Sequence, residues 1–268
     1  MQKSIAYILF IAIIFSVSQL AVAQAQPLWD FDQENLAYNF SWSGFVAAEL
    51  KVFIEKKDDL YRLSIDARTK PAIDLLWKMR DKLTVTTDSA NLSPRYYQFI
   101  IREGKYQMDI EIKSDPQTNI ATGKRYNPKR NRTYTRMVEM EDIYDPISAI
   151  LFIRRQPLNL SDVYRIKVFD GKSLYDLKYE VVGRYRIKTY RGLLWTKVVI
   201  PSLEPTSEKP EDVTKRVSKV LIYLTEDEPH EIVHVESDVF IGKVKVRLVS
   251  RTGGKLMTQK PQSETTQK

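Results

Sequence analysis

Residues 230–234 read His230-Glu231-Ile232-Val233-His234, the HExxH string of zinc peptidases. In such an enzyme the two histidines sit one helical turn apart on one face, and the glutamate between them activates a metal-bound water. The chemistry therefore needs a helix. The surrounding PHEIVHVESDVF mixes Ile, Val and Phe with charges and runs into Gly242, which is strand composition. On a strand, His230, Ile232 and His234 face one way and Glu231, Val233 and Val235 the other, so the base turns from the ligands. Downstream, Glu236, Asp238 and a polar tail offer no second helix to bring a third ligand. The zinc peptidase reading is rejected. The expectation is two exposed strand histidines, with His230 and His234 no more than weak metal candidates and no cofactor.

Other catalytic constellations fare no better. The chain has no cysteine and no histidine beyond these two, so a Ser-His-Asp or Cys-His site is hard to assemble. G-x-S-x-G, P-loop and G-x-G-x-x-G motifs are all missing from the sequence. Among 34 acidic residues nothing singles out a carboxylate pair for glycoside cleavage. The expectation is a protein that is not an enzyme.

Binding chemistry is better represented. Lys124, Arg125, Lys129, Arg130, Arg132 and Arg136 fall within 13 residues that contain no acid, interleaved with Tyr126 and Tyr134. Forked guanidiniums suit phosphate or carboxylate groups; the plain alternative is a solvated hairpin tip. A second basic stretch, Arg184 to Lys197, alternates with apolar residues and reads as the outer face of a hairpin. Arg154 closes a helical segment, where it either complements the helix C-terminus or places a charge at a cavity mouth.

The elements that must position these residues are mostly strands. Leu36, Tyr38, Phe40 and Trp42 alternate along one apolar face, and Val46 to Ile54 and Tyr61 to Ala67 repeat the period. Hairpin turns are signalled at Ser43-Gly44, Glu103-Gly104-Lys105, Asp170-Gly171-Lys172 and Arg191-Gly192. Ten to thirteen strands with short turns predict a mainly β protein: a large antiparallel curved sheet or open β-barrel. Two short helices interrupt it. One opens at Pro71, with Ile73, Leu76 and Trp77 at helical spacing. The other has Asp145 as cap, Pro146 in its first turn and apolar residues nearly all round, which suits a buried plug. Residues 202–216 read as a mobile loop.

The N-terminus supplies an address. Lys3, the apolar run Ile5 to Val17 and small residues at Ala21, Ala23 and Ala25 describe a secretory signal over residues 1–25. A single domain follows over 26–251, then a disordered polar tail over 252–268. The expected location is the periplasm or the exterior, with no membrane span after cleavage. The net charge of +8, of which the leader contributes only Lys3, favours anionic envelope lipids or polysaccharides as partners. Basic tracts with tyrosines also suit single-stranded nucleic acid, but the address argues against it.

Several of these segments resemble the bacterial family known as domain of unknown function 3108. Glu34-x-Leu36-x-Tyr38-x-Phe40-x-Trp42-x-Gly44 with Ala47-Ala48 is similar to its opening strand pair, and Trp77-Lys78-Met79-Arg80-Asp81 to its next block. Asp145-Pro146-Ile147-Ser148-Ala149-Ile150-Leu151-Phe152-Ile153-Arg154 resembles its most distinctive segment. Asp170-Gly171-Lys172, Gly192 and Gly242 complete the likeness. The resemblance implies an exported β-rich fold, loosely like the half-barrels of periplasmic lipoprotein carriers. Together these readings describe a non-catalytic binder or carrier of a lipid or anionic envelope polymer. An assembly factor for an envelope complex and a glycan-acting enzyme are the alternatives.

Overall fold

Alternating apolar residues carry the chain through fifteen strands, two more than the longest sequence-based count. The computed structural model describes residues 33–204, 220–239 and 242–254. The segment 1–25, all but the start of the 202–216 loop, and residues 255–268 lie outside the described residues.

The first eight strands form a meander: β1 (Gln33–Trp42), β2 (Phe45–Lys57), β3 (Leu60–Thr69), β4 (Arg80–Asp88), β5 (Pro94–Glu103), β6 (Tyr106–Asp115), β7 (Ile120–Asn127) and β8 (Arg132–Glu139). The second half holds β9 (Ile143–Tyr144), β10 (Val163–Phe169), β11 (Leu174–Thr189), β12 (Gly192–Glu204), β13 (Val220–Thr225), β14 (Ile232–Val239) and β15 (Gly242–Gly253). β15 pairs with β1, so one sheet runs β8 through β1, then β15 back to β9. Only β9 and β10 pair in parallel among the described residues. β8 and β9 are the two edges and do not pair with each other, so the sheet curves without closing. β15 reaches Gly253, two residues into the expected tail.

One face of this sheet is dry. Leu36, Ile54, Leu63, Val85, Tyr97, Ile110, Ile112 and Ala121, from seven successive strands, join one buried cluster. A second cluster gathers Ile166, Val168, Tyr179, Val181, Val199, Ile222 and Leu224 from the other half. Helix α2 (Pro146–Ile153) belongs to both, with Leu151 in the first and Ala149 and Ile153 in the second. It is the expected plug. Each fully buried Leu or Ile contributes about 1.5–3 kcal/mol.

Local chemistry sets the helix. Asp145 Oδ1 accepts from the amides of Ile147 (2.8 Å) and Ser148 (3.0 Å), and Pro146 needs no donor in the first turn. At its far side Tyr179 donates to the Ala149 carbonyl at 3.0 Å.

The other helix is shorter than expected. α1 is one turn, Pro71–Asp74, and Leu75 and Leu76 stand in solvent. Asp74 is drawn back to Thr69 and Arg80, which folds the chain into a loop before a second turn can form. No described helix is long and apolar enough to cross a membrane.

The two ends of the curved sheet meet through a turn. Gly171, between β10 and β11, lies against Gly123 of β7, so that a Cβ on Gly123 would fall 2.6 Å from Gly171 Cα. Arg125 reaches Asp170 at 3.7 Å, and Arg136 donates to the Lys172 carbonyl at 3.1 Å.

Candidate functional site

The two histidines are buried, at 5 % and 8 % exposure, which corrects the expectation of exposed strand positions. His230 precedes β14. Its Nδ1 lies 2.7 Å from the Thr225 carbonyl and its Nε2 3.1 Å from the Gln156 carbonyl, so it links the β13–β14 turn to the chain leaving α2. His234 sits in β14 beside Tyr223, with ring centroids 5.2 Å apart and Nε2 3.8 Å from Glu236. Glu231 turns instead toward Arg251, at 3.3 Å. The three side chains diverge, because the string lies on a turn and a strand with a bulge opposite Tyr223–Leu224. Among the described residues no group of metal-ligating side chains converges.

Glu231 belongs to an interior ionic cluster. Glu34 of β1 is wholly buried, with Oε1 2.5 Å from Arg251 Nε but off the hydrogen-bond direction. Burial pushes the Glu34 carboxyl upward, while Arg154 and Arg251 pull it back. Arg191 of the β11–β12 turn lies 3.5 Å from Asp227 and 3.9 Å from Glu231, and Tyr190 donates to Glu231 at 3.4 Å. Arg154, offered by the sequence as a ligand-binding charge, is 5 % exposed and donates to the His230 carbonyl at 2.7 Å. Three guanidiniums thus stand among three carboxylates, tying β1, β15, two turns and the end of α2 together. A balanced buried network of this kind is expensive to break and needs no ligand.

Alternation divides the basic run of β7 and β8. Arg125 and Arg136 point inward and hold the β10–β11 turn. Lys124, Lys129, Arg130 and Arg132 are exposed, with no acidic partner among the described residues. The structure does not gather the seven expected residues at one place.

It does assemble a cationic trough that the sequence reading missed. On the face of β15 opposite the core, Lys243, Lys245 and Arg247 alternate. Cross-strand register places Arg247 beside His234 and Tyr223, and Lys245 beside Glu236. Tyr223 donates to Glu236 at 2.7 Å, and Lys245 approaches the same carboxylate at 3.6 Å. Burial works to raise Glu236, but the Tyr223 hydroxyl, His234 and Lys245 outweigh it and hold the carboxyl below its ordinary range. Burial, then Arg247 and Lys245, lowers His234, while Glu236 works against them. Arg247 has no acidic partner among the described residues.

Two open depressions meet over Lys245 and Arg247. One, of about 540 Å³, is roofed by Lys188–Tyr190 of the β11–β12 turn. The other, of about 490 Å³, runs past Ser41 to Gly44 at the β1–β2 turn. The alternation Lys243-Val244-Lys245-Val246-Arg247 was the available signal.

The glycan-enzyme alternative needs two carboxylates several ångströms apart across a groove. Glu103 and Asp81 instead lie close together on neighbouring strands, and burial, then Asp81, raises Glu103 to about 7.

Residues 37–249 match the family model DUF3108, a protein of unknown function. The chain belongs to the DUF3108 family. No curated protein matches it. Two solved structures show similarity, the first of them in fold. A β-barrel-like DUF1849 protein from Brucella abortus gives a TM-score of 0.54 at 10 % identity, covering 84 % of this chain and 99 % of its own. A Bacteroides fragilis protein of exported type, with a YmcC-like fold, gives 0.37 at 9 % identity, with 84 % and 99 % covered.

The fold of this DUF3108 chain accounts for the segments that suggested the family. Asp145–Arg154 is the plug with its cap and its buried terminal arginine. Asp170–Lys172 is the turn that bridges the sheet's ends. Ala47 and Ala48, both buried, straddle a bulge in β2 that turns Phe45 and Val46 outward. The distinctive residues are thus those that shape the sheet and bridge its two ends.

Proposed function

We propose that this DUF3108 protein is an exported, non-catalytic binding protein of the cell envelope that takes anionic groups of a lipid or polysaccharide on its outer surface. The observation that carries the reading is a contrast. The inner face is filled by side chains and α2, whereas Lys243, Lys245 and Arg247 line an open trough. A carrier that swallows acyl chains needs an empty interior, and this sheet is packed. Lys243 and Lys245 stand 3.8 Å from Asp238 and 3.6 Å from Glu236, whereas Arg247 has no acidic partner among the described residues, and a forked guanidinium so placed suits phosphate or carboxylate groups. Residues 1–25 supply the export signal that puts such partners within reach.

The test is recovery of the tagged full chain from its native envelope at low salt, with mass spectrometry of the associated lipids and glycans. An anionic species is expected, released by salt and lost from the Lys245→Glu/Arg247→Glu variant. Recovery of no anionic species at low salt refutes the reading.

A further inference from the structure

Strand direction puts the β1–β2, β3–β4, β5–β6 and β7–β8 turns side by side at one end of the sheet. Hydrogen bonds confirm the neighbourhood: Lys70 N to the Ala47 carbonyl at 2.9 Å, Gly104 N to the Lys78 carbonyl at 2.7 Å, and Ser43 N to the Lys243 carbonyl at 3.0 Å. This end carries large apolar side chains in water. Leu75 is 90 % exposed, Leu76 82 %, Phe45 76 % and Tyr106 51 %, with Trp42 and Trp77 about half as open as Leu75 and Leu76. They stand on three successive tips, outside the two buried clusters of the sheet interior.

Charge sorts with them. Acids nearby are paired with cations, Glu49 with Lys70, Asp74 with Arg80 and Asp238 with Lys243, while burial raises Glu103 beside Asp81. Lys78, Lys105, Lys129, Arg130 and Arg132 are exposed on the same tips, without acidic partners among the described residues. The free charge of this end is therefore positive. The cationic trough reaches it as well, because Ser43 and Gly44 line its outer part.

Protruding Leu and Phe, flanking Trp and Tyr, and a ring of Lys and Arg are what an interfacial anchor requires. Aliphatic tips enter the acyl boundary, aromatics sit at head-group depth and cations meet lipid phosphates. We propose that this end docks the protein onto an anionic lipid leaflet, with Phe45, Leu75 and Leu76 inserted and the β7–β8 turn and the trough facing head-group phosphates. The proposal rests on the anion-binding reading above and names the lipid surface as its partner. Flat apposition to a bilayer fits separate convex tips better than a protein ligand does, since such a partner needs a continuous complementary patch.

The experiment is vesicle flotation of the full chain. Phosphatidylglycerol–phosphatidylethanolamine vesicles are compared with phosphatidylcholine alone, for wild type, Leu75→Ser/Leu76→Ser, Lys129→Glu/Arg130→Glu and Lys245→Glu/Arg247→Glu. The serine pair changes only exposed side chains, and an unchanged melting temperature checks its folding. Binding to anionic vesicles is expected, with a loss of about tenfold or more in the serine pair. Each cation removed from the β7–β8 turn should weaken binding about fivefold at low salt. If the serine pair floats like wild type while the trough variant does not, the docking face is wrong and the anion-binding reading survives. A dimer that the serine pair dissociates, without vesicle binding, overturns the proposal in favour of self-association. If no form binds anionic vesicles or envelope polysaccharide, both readings fall together.

Discussion

Replacing Gly123 by alanine tests whether a single glycine contact joins the two ends of the sheet. The added methyl would lie 2.6 Å from three atoms: Gly171 Cα, Gly171 O and Phe169 Cζ. Two are backbone, and the third belongs to a ring that is wholly buried and cannot swing aside. The β10–β11 turn must back away by the better part of an ångström. Gly171 itself holds φ +86°, so the turn has little freedom to re-form with other angles.

Opposing effects decide the size. Overpacking of this kind costs about 1–3 kcal/mol. The retreat also loosens the Arg125–Asp170 and Arg136–Lys172 contacts, worth about 0.5–1 kcal/mol each. Against this, alanine restricts the unfolded chain and returns about 0.4–1 kcal/mol, because Gly123 does not occupy the left-handed region. A net destabilisation of about 1–5 kcal/mol follows, and for a domain of this size each kcal/mol lowers the melting temperature by about 2–4 °C. Thermal and urea unfolding monitored by circular dichroism measure the first effect. Faster amide exchange in β7, β8 and the β10–β11 turn would localise it. A variant that melts at or above the wild-type temperature refutes the argument, since only the entropic gain would then remain.

Other perturbations reach other joints. Arg251→Met leaves Glu34 and Glu231 buried without their shared cation and should cost about 3–5 kcal/mol in urea unfolding. Asp145→Ala removes the acceptor for two amides and the Ser148 hydroxyl and should cost about 1–2 kcal/mol, with Asp145→Asn retaining part of the loss. Glu103 has a folded pKa raised to about 7 from an ordinary 4.5, so its contribution to stability is present in acid and fades as pH rises through about 7. Glu103→Gln should flatten that part of the stability–pH curve; an unchanged slope would show that Glu103 titrates normally.

Much of the architecture was legible because alternation is a local signal. The Ser43-Gly44, Gly104, Gly171 and Gly192 turns fall where a glycine in a short polar break marks them, and Asp145-Pro146 announces the plug. Three features were not legible. α1 ends after one turn because Asp74 pairs with Thr69 and Arg80, a contact between strand ends that helical spacing does not reveal. His230 is buried because the chain leaving α2 and the β13–β14 turn close over it, and His234 because Tyr223 and the β11–β12 turn cover it, which is tertiary. Arg125 and Arg136 read as part of one basic run until strand parity separates them from Lys124, and the distant Asp170–Lys172 turn from Arg132 at the strand's start. The trough was within reach, since Lys243, Lys245 and Arg247 share one face of any strand that contains them.

The filled interior constrains where function can reside. A sheet of fifteen strands that failed to bury its inner face would expose far more apolar surface than a soluble chain tolerates, and α2 is the element that prevents this. Once Leu151 and Ile153 occupy the space an acyl chain would need, binding from within requires expelling the helix. That breaks the Tyr179–Ala149 hydrogen bond and the Arg154–His230 link together. Contacts at the rim and along β15 require none of this. Lys245 and Arg247 already face solvent, and Leu75 and Leu76 already carry the unfavourable hydration that insertion into a leaflet would relieve. The proposed recognition at the end and outer face therefore leaves α2 and both buried clusters in place, with the sheet acting as a rigid support.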